Sequence, residues 1–351
     1  MTAYEALASQ LSASDDHERC PVCGDGIGAF ALASRDLYQG VPGTFTFLRC
    51  CSCKSVYQVP RTDENELGSL YPDSYFTHEK GAPISPAVRG SLKGGWRCAR
   101  QRLWLTLATE HLDQGSFVRG LLHFPMIGAR LRLGMPSSTA PAWGKRRCLE
   151  VGPGLGGDSS RLSALGWMVE GVDVDPTAAR HASERSGLAV HVGTVGTIRP
   201  QRPYELIYGH HVLEHMPDTA AAIADMRRLL AADGRMIMVY PNPRSLCSIL
   251  YRALAVTWDP PRHQVLPSVA GLRALLYREG FHKVRIRTTP KRASHYSAIA
   301  RTRMTGIYDA KAWEAEPTVL DHFVHYVESV LVLLGIPVGE EIVVIADDAK
   351  H

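Results

Sequence analysis

The chain has 351 residues, of which 45% are hydrophobic and 21% charged, with a net charge of +4. That length can bury a sizeable core and hold two domains, and the balance argues against a disordered or fibrous protein. Eight cysteines in so long a chain argue against a disulfide scaffold. No apolar run reaches membrane-span length, and the opening "MTAYEALASQLSASDDHE" lacks a basic-then-apolar signal pattern, so a cytoplasmic protein is expected.

After a polar lead-in, residues 20–60 carry short β-type runs, "GTFTFLRC" and "SVYQVP", bracketed by cysteine pairs and glycines. "RTDENELGSLYPDSYF" reads as a short capped helix running into a turn. Residues 80–142 are irregular and Arg-rich, although "GWRCARQRLWLTLATEHL" has helical spacing. From Lys80 to Arg147 the charge is +10, leaving −6 for the rest of the chain, which marks a local surface for anions.

From Lys145 strands and helices alternate. "RRCLEVG", "MVEGVDVD", "AVHVGTV", "YELIYGH" and "RMIMVYP" read as strands. "GDSSRLSALG", "PTAARHASERSG" and "PDTAAAIADMRRLLAADG" read as helices. Such alternation predicts an α/β, doubly wound Rossmann-like domain with a parallel sheet. "HKVRIRTTP" and "EEIVVIADD" read as two closing strands around a helical insertion at about 291–335.

The loop "CLEVGPGLGGDSSRL" fits two glycine templates. Gly152, Gly154 and Gly157 spell the dinucleotide fingerprint, while Glu150, Gly152, Gly154 and Gly156 spell E-x-G-x-G-x-G. Glu150, at the strand end, would repel a pyrophosphate but suits a ligand carrying an ammonium and a sulfonium. Asp173, at the end of the next strand, can accept both hydroxyls of a ribose under either template. The closing strand pair is not the usual ending of a nicotinamide domain.

With "LEVGPGLGG", "GVDVDP", "YELIYGHHVLEHMPD", "LLAADGRMIMVYPNP" and "REGF" in that order, residues 145–290 resemble a class I S-adenosylmethionine (SAM)-dependent methyltransferase. The resemblance implies that Gly152, Gly154 and Gly156 wrap the methionyl part of SAM, Asp173 holds the ribose, and Thr194 and Val195 border the adenine. Thr194 stands where the family often has Asp, and Glu205 replaces the usual Asp of the fourth strand.

"CPVCG" and "CCSC" give Cys20-x2-Cys23 and Cys50-x2-Cys53, four thiolates suited to a closed, structural zinc site. The stretch from "CPVCG" to "SYF" resembles the zinc-ribbon leader of bacterial methyltransferases linked to glycan or natural-product biosynthesis. The expected organisation is an N-terminal four-cysteine zinc-ribbon over 1–78, a basic helical linker or lid over 79–142, and a methyltransferase domain over 143–351.

"HHVLEHMPD" follows the fourth strand, which brings His210, His211 and His215 to the edge where methyl transfer would occur. His211 is the favoured general base and His210 is also a cofactor contact. His263 in "WDPPRHQVLP" is a second candidate, and Arg262 could pair with a substrate anion. Glu214 and His215 match part of the acidic–His metal element of quinone O-methyltransferases.

The basic block leaves several partners open: an anionic membrane surface presenting a lipid-linked saccharide, a phosphorylated small molecule, or a solvated lid. The resulting expectation is O-methylation of a saccharide, lipid-linked glycan or specialised metabolite. An RNA methyltransferase using the zinc ribbon and basic patch is an alternative, although "YGHH" lacks the element of many nucleobase amino-methyltransferases. A non-catalytic SAM-binding protein is another.

Overall fold

The computed structural model describes residues 19–26, 28–71, 75, 146–306 and 311–348. The polar lead-in, the linker expected at 79–142 and all but Arg146 and Arg147 of the basic block lie outside the described residues.

Two sheets organise the described residues. The smaller comprises β1 (Ala29–Ser34), β2 (Phe45–Arg49), β3 (Val56–Val59) and β9 (Val265–Leu266), antiparallel in that order. The larger contains β4 (Arg147–Val151), β5 (Met168–Asp173), β6 (Val190–Val192), β7 (Tyr204–His210), β8 (Leu230–Pro241), β10 (Lys283–Thr289) and β11 (Glu341–Asp347), in the order β10-β11-β8-β7-β4-β5-β6. Strands β4 to β8 pair in parallel, and β11 inserts antiparallel between β8 and β10. The closing pair expected from sequence therefore forms, with its last strand inside the sheet.

Alternation along each strand sends successive side chains to opposite faces. Leu149, Val151, Ile207, Met236, Met238 and Val344 belong to one core cluster, whereas Cys148, Tyr208, Ile237, Val239 and Ile345 belong to the other. Helices α3 (Thr219–Leu229) and α5 (Val269–Arg278) cover the first face through Ile223, Met226, Leu272 and Leu275. Helix α1 (Gly157–Ala164) covers the second through Leu162. This is the doubly wound α/β fold that the alternation predicts.

Local sequence sets the helix ends. Helix α2 (Pro176–Ser186) starts with Asp175 accepting from Thr177 N and Pro176 in the first turn, and it stops at Gly187 in a left-handed conformation. The expected helix running on to Gly234 ends earlier, because Leu230 turns extended (ψ 144°) and pairs with Tyr204. Between β8 and β10 lies α4 (Leu246–Tyr251), ahead of β9 and α5. The insertion after β10 is helical, with α6 (Ala293–Thr302) and α7 (Val319–Leu333). A capping box between Thr318 and Asp321 opens α7.

The small sheet is fastened to the large domain by charge as well as by strand pairing. Arg262 has no exposed surface. Its Nη1 and Nη2 donate to Asp36 at 3.0 and 2.9 Å, and its Nε and Nη2 donate to Asp259 at 3.0 and 2.7 Å. Asp36 also accepts from the backbone N–H groups of Tyr38, Gln39 and Val41, which fixes the loop after β1. Arg262 is thus consumed inside the protein instead of facing a substrate anion. Removing one partner of such a buried pair costs about 3–5 kcal/mol. Asp36→Ala should therefore lower the unfolding free energy by that amount, read as a lower urea midpoint at unchanged slope; an unshifted midpoint would mean that the clamp contributes nothing.

Candidate functional site

In an open parallel sheet, ligands bind outside the carboxyl ends of the strands where the strand order reverses. Here β4 has β5 on one side and β7 on the other, so the loops after β4 and β7 flank that crevice. In the β4 loop Gly152, Gly154 and Gly156 all take positive φ, at 61°, 53° and 73°. A Cβ on Gly152 would stand 2.9 Å from a Val212 methyl, and one on Gly156 would meet Ser186 at 3.2 Å. Gly157 has ordinary backbone geometry and open space around its missing Cβ. Only the E-x-G-x-G-x-G template places its glycines where glycine is required.

The remaining cofactor candidates reach the same edge. Glu150 ends β4 buried, accepts a hydrogen bond from the Ser159 hydroxyl of α1, and is pushed by burial up to about 8. Asp173 ends β5 and accepts from Asp175 N at 3.0 Å. Thr194 precedes the short turn Val195–Thr197 that follows β6, and Val195 is buried there. A close-approach cradle and a carboxylate at the next strand end suit the amino-acid and ribose parts of SAM.

Beyond β7 the backbone turns sharply: His211 has φ 54°, and the turn Leu213–His215 follows. His211 Nδ1 lies 3.2 Å from Glu214, and its Nε2 lies 3.2 Å from Glu341. Burial opposes a charge on this ring, but the two carboxylates outweigh it and raise His211 to about 9. Burial would likewise raise Glu214, yet His211, His215 and His263 hold it below the usual carboxylate range. His210 faces Asp158 at 3.6 Å and Glu341 at 4.0 Å, with burial depressing its proton affinity.

The other two histidines meet at the same Glu214 oxygen that His211 contacts. His215 Nε2 lies 4.0 Å and His263 Nε2 lies 3.8 Å from the same oxygen, and the two rings pack edge to face at 4.9 Å. Burial drops His215 to about 4, so it is neutral, and its Nδ1 meets the Tyr71 hydroxyl at 3.2 Å. His263 Nδ1 donates to the Thr257 carbonyl at 2.7 Å, so in the neutral ring Nε2 is the accepting nitrogen. Glu214, His215 and His263 are close enough together to share a metal ion, as are His210, His211 and Glu341.

Sequence reasoning overlooked Glu341 and Tyr71. Glu341 is 130 residues from His211, and only the register of β11, with Glu341 opposite Pro241, brings it to the site. Tyr71 follows a short 3-10 helix (Glu64–Leu70) that leans on the end of β5, where a Cβ on Gly68 would touch the Val174 carbonyl at 3.5 Å.

The sulfurs of Cys20, Cys23, Cys50 and Cys53 all lie within 4.8 Å of one another, with two contacts at 3.5 Å. A zinc–thiolate tetrahedron with bonds of about 2.3 Å needs edges near 3.8 Å, so this donor set fits structural zinc. The two knuckles fold alike: Gly24 N and Lys54 N return to the carbonyls of Cys20 and Cys50, with φ of 76° and 63°. Each makes the turn that sets the second cysteine beside the first.

Two outcomes follow. In a histidine NMR titration His211 should stay protonated through neutral pH and titrate near 9, while His215 stays neutral down to about 4. A His211 midpoint near 6.5 would sink the two-carboxylate account. Because the folded value lies above the unfolded one, this histidine's contribution to stability is complete below about pH 6.5 and is lost as pH rises through about 9. Separately, the purified chain should carry one zinc ion, and stripping it with a chelator should lower the thermal midpoint; an unchanged midpoint would deny the metal a structural role.

Residues 115–286 match the model of a family described as a methyltransferase domain. No curated protein matches the chain. Among solved structures it is similar to Haemonchus contortus phosphoethanolamine N-methyltransferase 2 in complex with SAM, at 14% identity, covering 70% of this chain and 60% of that one, with a TM-score of 0.44. A SAM-dependent methyltransferase from Archaeoglobus fulgidus aligns at 18% identity over 66% of this chain and 100% of that one, with a TM-score of 0.43. The chain thus spans only about 60% of the length of the first of these proteins. With its family match over residues 115–286, its antiparallel strand inserted beside the last of a parallel series and its glycine cradle, the chain carries a SAM-dependent methyltransferase domain.

Proposed function

We propose that the protein transfers a methyl group from SAM to an oxygen of a saccharide, lipid-linked glycan or specialised-metabolite acceptor, with His263 as general base. The observation that carries this reading is the hydrogen bond of His263: its Nδ1–H is held by a backbone carbonyl, so in the neutral ring the accepting lone pair sits on Nε2. When bound, SAM supplies the electrophilic methyl. Gly152, Gly154, Gly156 and Asp173 would hold it, with Glu150 beneath the cradle, Thr194 and Val195 beside the adenine, and His210 at the cofactor edge.

The other histidines suit different tasks. His211 already carries its proton between Glu214 and Glu341, so it has no lone pair to offer. His215 is too weakly basic and is tied to Tyr71, which makes it a positioning residue. A proton arriving on His263 Nε2 would face Glu214 at 3.8 Å and Asp259 at 4.0 Å, and both carboxylates would stabilise the imidazolium. A zinc-ribbon over 1–78, a basic linker over 79–142 and a catalytic domain over 143–351 form part of the same proposal.

The test uses methyl-labelled SAM with fractionated bacterial extract. Asp173→Ala should abolish SAM binding and transfer together. His263→Ala should lower the transfer rate by about 10²–10⁴-fold while leaving SAM affinity unchanged. Transfer at the wild-type rate by His263→Ala would remove the base assignment, and failure of the wild type to bind SAM would remove the whole reading. Label entering nucleic acid instead of an extractable glycan or metabolite would overturn the acceptor class.

A further inference from the structure

Beside the small sheet, edge strand β1 and helix α4 enclose a groove of about 620 Å³. Trp258 forms part of its wall. Phe30 on β1 and Ile249 on α4 line it while remaining 51% and 56% exposed, and Leu250 beside them is 53% exposed. Helix α4 is therefore two-sided, with Cys247 and Ser248 turned inward and two large aliphatic residues turned to water.

Three arginines, Arg49, Arg244 and Arg252, line the same groove, and no acidic residue is among the described residues that do. Many arginines of the domain are ion-paired, as Arg147 is with Glu170 and Arg235 with Asp347. Among the described residues, none of the three groove guanidinium groups has a hydrogen-bonding or ion-pairing partner. Arg244 and Arg252 are exposed, so their charge faces outward beside the apolar rim.

We propose that this groove docks the protein on an anionic phospholipid surface, the arginines meeting headgroup phosphates while Phe30, Ile249 and Leu250 enter the interface. The charge excludes the other occupants. A second copy meeting this face about a two-fold axis would set arginine against arginine. The chain's own 80–147 stretch, at +10, would be repelled. Exposed aliphatic and aromatic side chains interleaved with arginines match an interface that is apolar at one depth and anionic at another. The site is independent of the methyl-transfer reading, because no residue in it belongs to that machinery.

The experiment is sedimentation of the full chain with vesicles of phosphatidylglycerol or of phosphatidylcholine alone. The wild type should bind the former, not the latter, with affinity falling as salt rises. The triple variant Arg49→Ser, Arg244→Ser, Arg252→Asn should partition roughly a hundredfold less, since each cation near such a surface contributes about fivefold. A second variant, Ile249→Ser with Leu250→Ser, changes only solvent-facing side chains and should also weaken binding while SAM affinity stays unchanged. Wild-type binding by both variants would move the contact elsewhere on the chain and overturn the proposal. Binding to neither vesicle, or to inorganic phosphate without vesicles, would overturn it equally.

Discussion

The arrangement of the site depends on a guanidinium that never meets water. Taking Arg262 and two carboxylates out of solvent costs several kcal/mol per ion, and only complete hydrogen bonding and close Coulomb contact offset that. Both conditions hold: each carboxylate takes two bonds from the fork, and Asp36 is further saturated by three backbone N–H groups. The clamp joins segments 226 residues apart, so the Asp259–Gln264 loop cannot move without the loop after β1. His263 is the next residue, and its ring orientation is a consequence of that rigidity. Gln264 extends it, donating its N–H to the Glu214 carbonyl at 2.7 Å and accepting Gln58 N at 2.8 Å.

The four histidines around this loop are chemically unlike one another, although all began with the same intrinsic basicity. Two carboxylates flank His211, so attraction beats desolvation and the ring is charged. His215 has one carboxylate at 4.0 Å and is mostly shielded from solvent, so desolvation wins and the ring is neutral. Glu214 stands between them as the shared counter-charge. Once His211 has neutralised most of it, the carboxylate draws less on His215. The proposed chemistry would suit such a division of charge, because two imidazolium rings beside a sulfonium would repel it.

How much of this could be read in the sequence varies with distance along the chain. The glycine cradle, Asp173 and the cysteine knuckles were legible because each depends on spacing within a few residues, and the alternation of strands with helices because each element is a short local run bounded by turn residues. Glu150 and the closing strand pair already favoured one glycine template, and the φ angles add that Gly157 is an ordinary first helical residue. The protonation of His211 was not legible, since half of its cause is Glu341, a strand start placed beside it only by β11 entering the sheet antiparallel. Arg262 read as a free cation for the same reason: Asp259 is three residues away, but Asp36 is reached only through the tertiary fold.

The zinc-binding sheet then has a role beyond that of an appended module. Four short strands cannot bury a core of their own, and small units of this kind need a staple. Here the staple and the domain share the work. Phe47 and Val56 close over Trp258 and Leu266, while Cys20, Val22, Leu48 and Tyr57 join the core on one face of the large sheet. The fourth strand, Val265–Leu266, directly continues the loop that carries Arg262 and His263. Ser268 donates to the Cys53 carbonyl and also caps helix α5, so a knuckle backbone supports the first turn of a domain helix. The loop bearing the proposed base is therefore held on one side by buried charge and on the other by strand pairing to a sheet that four thiolates bring together. Metal binding far from the chemistry thereby becomes a condition of its geometry.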